Sequence, residues 1–452
     1  MHRIPTRVFT TATLLLLSAG MVDPASALSA PQPRSGADGV PVWPLSGRVT
    51  LTDGEVVEGL LVWDRHASTS ADLLRGLREV SDEGLRLRTI VSERTAADRQ
   101  RSVDLPGVRV TWEEDDPDLV QRVRAGIRFA WIDRLVPDSV TLRVELRTGD
   151  TVDLQSSGTN IGPGFRGLAL ERPDGGVRSL DWDEIAMVEL FAGAAPERTG
   201  RQRIHGTVEA TSGATFTGWI VWDADETWGA DLLEGDDDAL RFDELTRIER
   251  RAGGGVEVTL ASGERRSLSG TNDVDDDNRG IRVSDPGLGR VSVPWEAFDA
   301  LSLHPPTSRP PTGPLPGSSR GSTPASPTGP AADGSPRFTS SNIEGVLRTR
   351  DGVSISGAIV WDLDEARPWH LLDGDLDGMS VAVEFSEVAR VERSDDHVWV
   401  VLRDGRELRF AASGDLGPEN RGIGVIDSEG QSHIVDWHDV ESLDLASAVG
   451  GA

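Results

Sequence analysis

The chain has 452 residues, room for two to four ordinary domains, and carries 75 acids against 46 arginines and no lysine, for a net charge of -29. That field repels phosphate backbones and argues against nucleic acid as a partner. With no cysteine, lysine or tyrosine, disulfide staples, thiol nucleophiles, Schiff-base lysines and tyrosine acids are all excluded.

The N-terminus reads as a secretory signal peptide over 1–27: Arg3 and Arg7, an apolar run over 8–22, then the small-residue site Ala25-Ser26-Ala27. No later stretch approaches the ~20 apolar residues of a membrane helix. The expectation is an exported protein, secreted or periplasmic and not integral to a membrane, with a disordered segment over 28–43.

Three passages then repeat. "GRVTLTDGEVVEGLLVWD" from Gly47, "GTVEATSGATFTGWIVWD" from Gly206 and "GVLRTRDGVSISGAIVWD" from Gly345 each run without a gap to a Leu-Leu pair, at Leu73, Leu232 and Leu371. Each is followed by an Arg-Gly pair (Arg166, Arg279, Arg421) and, sixteen residues after that arginine, by Trp182, Trp295 or Trp437. Such spacing marks duplicated units of about a hundred residues. Alternation at Val256, Val258 and Leu260, or at Val398, Val400 and Leu402, predicts half-buried strands. Asp53-Gly54, Asp351-Gly352 and Asp404-Gly405 sit where hairpins need positive φ.

The predicted fold is therefore all-β, with copies at 44–192, 204–304 and 342–446, each a small antiparallel barrel or sandwich. Copy one carries an insertion over 77–125, in which Asp116, Pro117 and Gly126 bracket a predicted short helix, "DLVQRVRA". A Pro/Gly/Ser-rich stretch over 305–341 reads as a disordered linker, so the third copy is expected to be tethered, not packed.

"LLDGDLDGMSVAVE" fits the calcium-loop pattern through Asp373, Asp375, Asp377, Gly378 and Glu384. The pattern is not kept in the other copies, where Glu234 and Arg75 stand in place of Asp373. Helices, which an EF-hand needs on both sides, are not predicted here. An acidic turn leading into a strand is the favoured reading, no metal is expected, and calcium on these four carboxylates is the alternative. The cluster Asp273, Asp275, Asp276 and Asp277 likewise belongs to copy two alone.

Val49, Leu51, Asp53-Gly54, Gly59, Leu61 and Asp64 resemble the first motif of Sm-like small barrels. The resemblance spans about thirty residues per copy and implies an SH3-like or Sm-like barrel. The asparagine that contacts RNA in that family has no counterpart here, which accords with the acidic charge.

The Trp-Asp pairs Trp63-Asp64, Trp222-Asp223 and Trp361-Asp362 read first as core tryptophans. Arg166, Arg279 and Arg421 read first as salt-bridge partners of those aspartates. As binding candidates the sequence offers Trp228 and Trp369, expected to be exposed, with Asp223, Asp362, Arg279 and Arg421. No catalytic residue recurs. The expected function is binding or scaffolding, with a protein or glycan of the cell envelope as partner. The alternatives are a calcium- or glycan-binding envelope protein and a hydrolase using His66 and a carboxylate of the insertion.

Overall fold

A computed structural model describes residues 42–105, 108–113, 122–172, 174–191, 202–304 and 342–446. The signal peptide, most of 28–43, Asp116, Pro117 and the linker over 305–341 lie outside the described residues. No helix among the described residues is long and apolar enough to cross a membrane.

The molecule is mostly β, and every strand pair is antiparallel. Alternation sets the inner face of each strand: in Ser46–Leu51, Val49 and Leu51 are buried while Arg48 faces out. The Asp-Gly turns take the positive φ expected of them, 88° at Gly54 and Gly352 and 92° at Gly405.

Eight strands of the first segment run side by side in the order Val177–Leu180, Leu168–Glu171, Val56–Trp63, Ser46–Leu51, Ile185–Leu190, Ile132–Asp138, Thr141–Leu146 and Thr151–Gln155. The second segment follows the corresponding order from Gly289–Val293 to Arg265–Leu268, and the third from Ser432–Val435 to Glu407–Ala411.

The strand that begins at each Leu-Leu pair goes to a different place each time. In the first segment Leu73–Glu79 pairs with Arg122–Arg128 and extends its own sheet. In the second, Leu232–Glu234 and Ala239–Arg241 form a separate two-stranded sheet. In the third, Met379–Glu384 pairs with Leu371–Leu376 and also with Gly289–Val293 of the second segment. None of these sheets closes, which corrects the barrel expectation. The free edge at Gly289–Val293 is satisfied by a strand of the third segment and not by its own far edge.

The third segment is thus packed, not merely tethered. Its apolar core is continuous with that of the second, and its Trp369 joins the core of the first. Ion pairs cross each boundary: the buried Arg203–Asp72 at 3.0 Å between second and first and Arg128–Glu384 at 3.2 Å between first and third, and the half-buried Arg406–Asp285 at 2.6 Å between third and second.

The insertion also differs from expectation. Its described helix is Asp82–Arg99; of the helix predicted over 118–125, residues 118–121 lie outside the described residues and 122–125 belong to a strand. Ser81 Oγ caps it by accepting the Gly84 N–H at 3.2 Å, and Asp82 and Glu83 favour the positive end of the helix dipole. Arg122–Arg128 is a strand because its alternating Val123, Ala125 and Ile127 find a full-length partner in Leu73–Glu79. The helix docks on the third segment, with Leu87 buried among Val360, Leu363 and Ala366. A Cβ at Gly84 would lie 2.6 Å from the Leu363 carbonyl oxygen, so this approach requires glycine.

Candidate functional site: the junction of the three segments

The site is built on a local device that occurs three times. Asp64, Asp223 and Asp362 each open a turn in which they and the next residue, Arg65, Ala224 or Leu363, have positive φ. Side chains other than glycine resist that conformation, at a cost of about 1–3 kcal/mol each. Hydrogen bonds to the aspartate hold it. Arg279 donates its backbone N–H at 2.5 Å and Nη2 at 2.6 Å to the Asp223 carboxylate. Arg166 does the same for Asp64, and Arg421 serves Asp362 through its backbone N–H and Nη1.

The preceding tryptophans are buried. Trp63, Trp222 and Trp361 donate Nε1–H to the carbonyls of Asn160, Asp273 and Asp415 at 3.0, 2.9 and 3.2 Å. The side chains of those three residues in turn accept the backbone N–H of Arg75, Glu234 and Asp373. This ties the strand that begins at each Leu-Leu pair to the tryptophan turn.

In the third segment the turn faces the first. Asp362, Asp364 and Glu365 are buried together, with carboxylate oxygens within 4.8 Å of one another. Arg88 from the insertion helix reaches Asp364 at 2.5 Å, Arg421 reaches Asp362 at 2.8 Å and Asp364 at 3.2 Å, and Arg78 lies 3.5 Å from Glu365. Burial and the neighbouring Asp364 push the Asp362 carboxyl up to about 7 and the Glu365 carboxyl well above its ordinary range. Guanidiniums therefore supply the countercharge that a cation would supply. His370 Nδ1 meets both the Ala366 N–H at 3.1 Å and Arg78 Nη2 at 3.2 Å, which leaves the proton on Nε2. Burial, then Arg78 and Arg367, hold this imidazole neutral.

Beside this cluster lies a cavity of about 640 Å³ with walls from all three segments. The first contributes Arg75, Arg78, Arg122 and Arg124, the second Arg290 and Ser292, the third Asp362, Asp373, Ser380, Asp415 and Arg421. A neighbouring cleft of about 890 Å³ shares Leu77, Arg78, Arg122, Trp369 and His370 with it. Burial, with Arg75 and Arg282 nearby, brings the Arg290 guanidinium down to about 9. Burial raises the Asp373 carboxyl, against the pull of Arg75, Arg124 and Arg290.

The sequence-derived candidates separate. Asp362, Arg421 and Asp373 come together at the junction. Asp223 and Arg279 pair in the second segment, where Asp223, Glu226 and Asp273 form another close carboxyl group. Trp228 and Trp369, expected to be exposed, are 5% and 4% exposed. Trp228 is covered beside Arg203, 6.0 Å from its ring, and Trp369 lies in the first segment's core.

The calcium pattern unrolls into a hairpin turning at Asp377-Gly378, both at positive φ. Asp375 accepts the Gly378 N–H at 3.0 Å, and Glu384 is held at the far end by Arg128. The close carboxyl groups among the described residues do not include these four residues. The acidic cluster of copy two also divides, Asp273 inward and Asp276 and Asp277 outward.

His66 contacts Arg166, and burial with Arg166 and Arg203 brings it down to about 4. The insertion helix docks elsewhere, on the third segment. Arg75, Arg124 and Arg290 were not legible as site residues, because Arg124 falls in a predicted helix and none of the three belongs to a motif that marks a site. Only the assembly turns them toward one another. Comparison with protein-family models, curated proteins and solved structures finds no match.

Proposed function

We propose that the chain is an exported, non-catalytic binding protein made of three copies of one β unit, with its ligand seated in the cavity where the copies meet. The observation that supports this reading is the cavity itself: three segments supply its walls, and ion pairs and a shared sheet hold those walls in one arrangement. Its size falls within the range of about 300–1,000 Å³ typical of small-molecule sites, and its charged lining suits a polar ligand. The recurring Asp–Arg–Trp turns serve as the frame. A single site between copies replaces separate modules acting through a tether.

The test is a thermal-shift screen of the exported chain against sugars, sugar acids, phosphates, amino acids and calcium, repeated with Ser380→Trp, which fills the cavity. The reading expects a saturable shift that Ser380→Trp abolishes. Shifts that survive Ser380→Trp, or turnover of a hydrolase substrate that depends on His66, would overturn it.

A further inference from the structure

In a chain with 75 acids and 46 arginines, many of the described arginines find a carboxylate. Arg48 meets Glu58, Arg143 meets Asp153, and within the junction Arg78 and Arg421 meet Glu365 and Asp362. Arg75, Arg124 and Arg290 line the same cavity from three different strands. Among the described residues, no carboxylate lies within 4.0 Å of any of them and none donates a side-chain hydrogen bond. A countercharge that acts on all three is Asp373, on the cavity wall, which pairs with none of them, and Asp72 also acts on Arg290. The Asp373 carboxylate also accepts no hydrogen bond among the described residues, and Asp415 takes only its backbone N–H.

Guanidiniums that share a cavity without forming an ion pair repel one another, and Arg290 is half-buried on a strand between two paired neighbours. Burial first, and then the cations Arg75 and Arg282, bring Arg290 down to about 9. An oxyanion in the cavity would remove that cost, because planar guanidinium forks match carboxylate and phosphate oxygens.

We propose that Arg75, Arg124 and Arg290 bind the oxyanion of a small hydroxylated ligand, a sugar acid or sugar phosphate, and that Asp373 accepts one of its hydroxyls. This rests on the cavity being the binding site and adds the ligand's chemical class. The repulsion persists in the ligand-free protein because the same charges are used when the ligand is bound.

The test is calorimetric titration of the full exported chain at constant ionic strength with glucuronate, glucose 6-phosphate and glucose. One charged probe should bind at least tenfold more tightly than glucose, with affinity falling as salt rises. Which one responds separates carboxylate from phosphate recognition. Arg124→Gln, at an exposed position, and Arg290→Met should each weaken that binding at least tenfold, whereas the surface variant Arg48→Gln should not. Arg290→Met should also raise the melting temperature without ligand, a gain that a purely structural role would not produce. Charged probes that do not bind, or that bind both variants as well as the parent, overturn the assignment. If a neutral ligand binds and is lost in Ser380→Trp alone, the cavity stands as the site and its anion specificity falls. If no ligand responds to Ser380→Trp, both fall.

Discussion

Arg88, on the insertion helix of the first segment, donates to the Asp364 carboxylate of the third at 2.5 Å, and both side chains are almost fully buried. Nearly three hundred residues of chain separate them. The insertion therefore serves as a clasp between the ends of the chain as well as a decoration of its own unit.

Removing Arg88 leaves Asp364 with Arg421, 3.2 Å away, as its remaining partner, so the loss falls at the low end of the about 3–5 kcal/mol that stranding a buried charge costs. Arg88→Met should destabilise the protein by that order in denaturant titrations. Asp364→Asn added to it should restore part of the loss, because the under-compensated buried charge is then gone, and Arg421 keeps Asp362. Equal or additive losses would show that the two residues do not act as a pair.

The apolar half of the clasp is Leu87, buried among Val360, Leu363 and Ala366. Leu87→Ala should cost about 2–5 kcal/mol through lost burial and the cavity it leaves. Val56, exposed on the first segment, provides the contrast: Val56→Ala should stay within about 0.5 kcal/mol.

Glu226 yields a pH signature. Burial, with Asp273 and Asp225, pushes its carboxyl from 4.5 up to about 9. The folded protein thus holds this proton more tightly than the unfolded chain does. Its contribution is full below the unfolded value and is lost as pH rises through about 9. His66 and His205, both lowered to about 4 from 6.5, act in the opposite sense, but below about pH 6.5. Between pH 7 and 9.5 the stability of the parent should fall by about 1 kcal/mol on account of Glu226, after allowance for its partial exposure. Glu226→Gln should flatten that slope, as read from unfolding midpoints at each pH.

Strands and their turns were legible in the sequence because they are local. Val256, Val258 and Leu260 alternate whatever else the chain does, and Asp-Gly at 53–54 adopts its turn without outside help. The Asp–Arg pairing of each Trp-Asp turn was legible from constant spacing. Residues 122–125 read as the end of a helix because Asp116, Pro117 and Gly126 look like its boundaries, and only the pairing with Leu73–Glu79 makes them strand. The pairing of Met379–Glu384 with Gly289–Val293 was not legible, since which edge a strand joins depends on segments far apart in the chain. For the same reason nothing marked Arg75, Arg124 and Arg290 as a group, and only the packed assembly brings them to one cavity.

The central claim is that the three segments form one body around the cavity, and cutting the chain within 305–341 tests it most directly. A protease site placed there and cleaved in the purified protein should leave both fragments together on a sizing column, unfolding in a single calorimetric transition, because strand pairing and the Arg88–Asp364 clasp hold the third segment in place. Fragments that separate, or that melt independently at the temperatures of the isolated pieces, would contradict it.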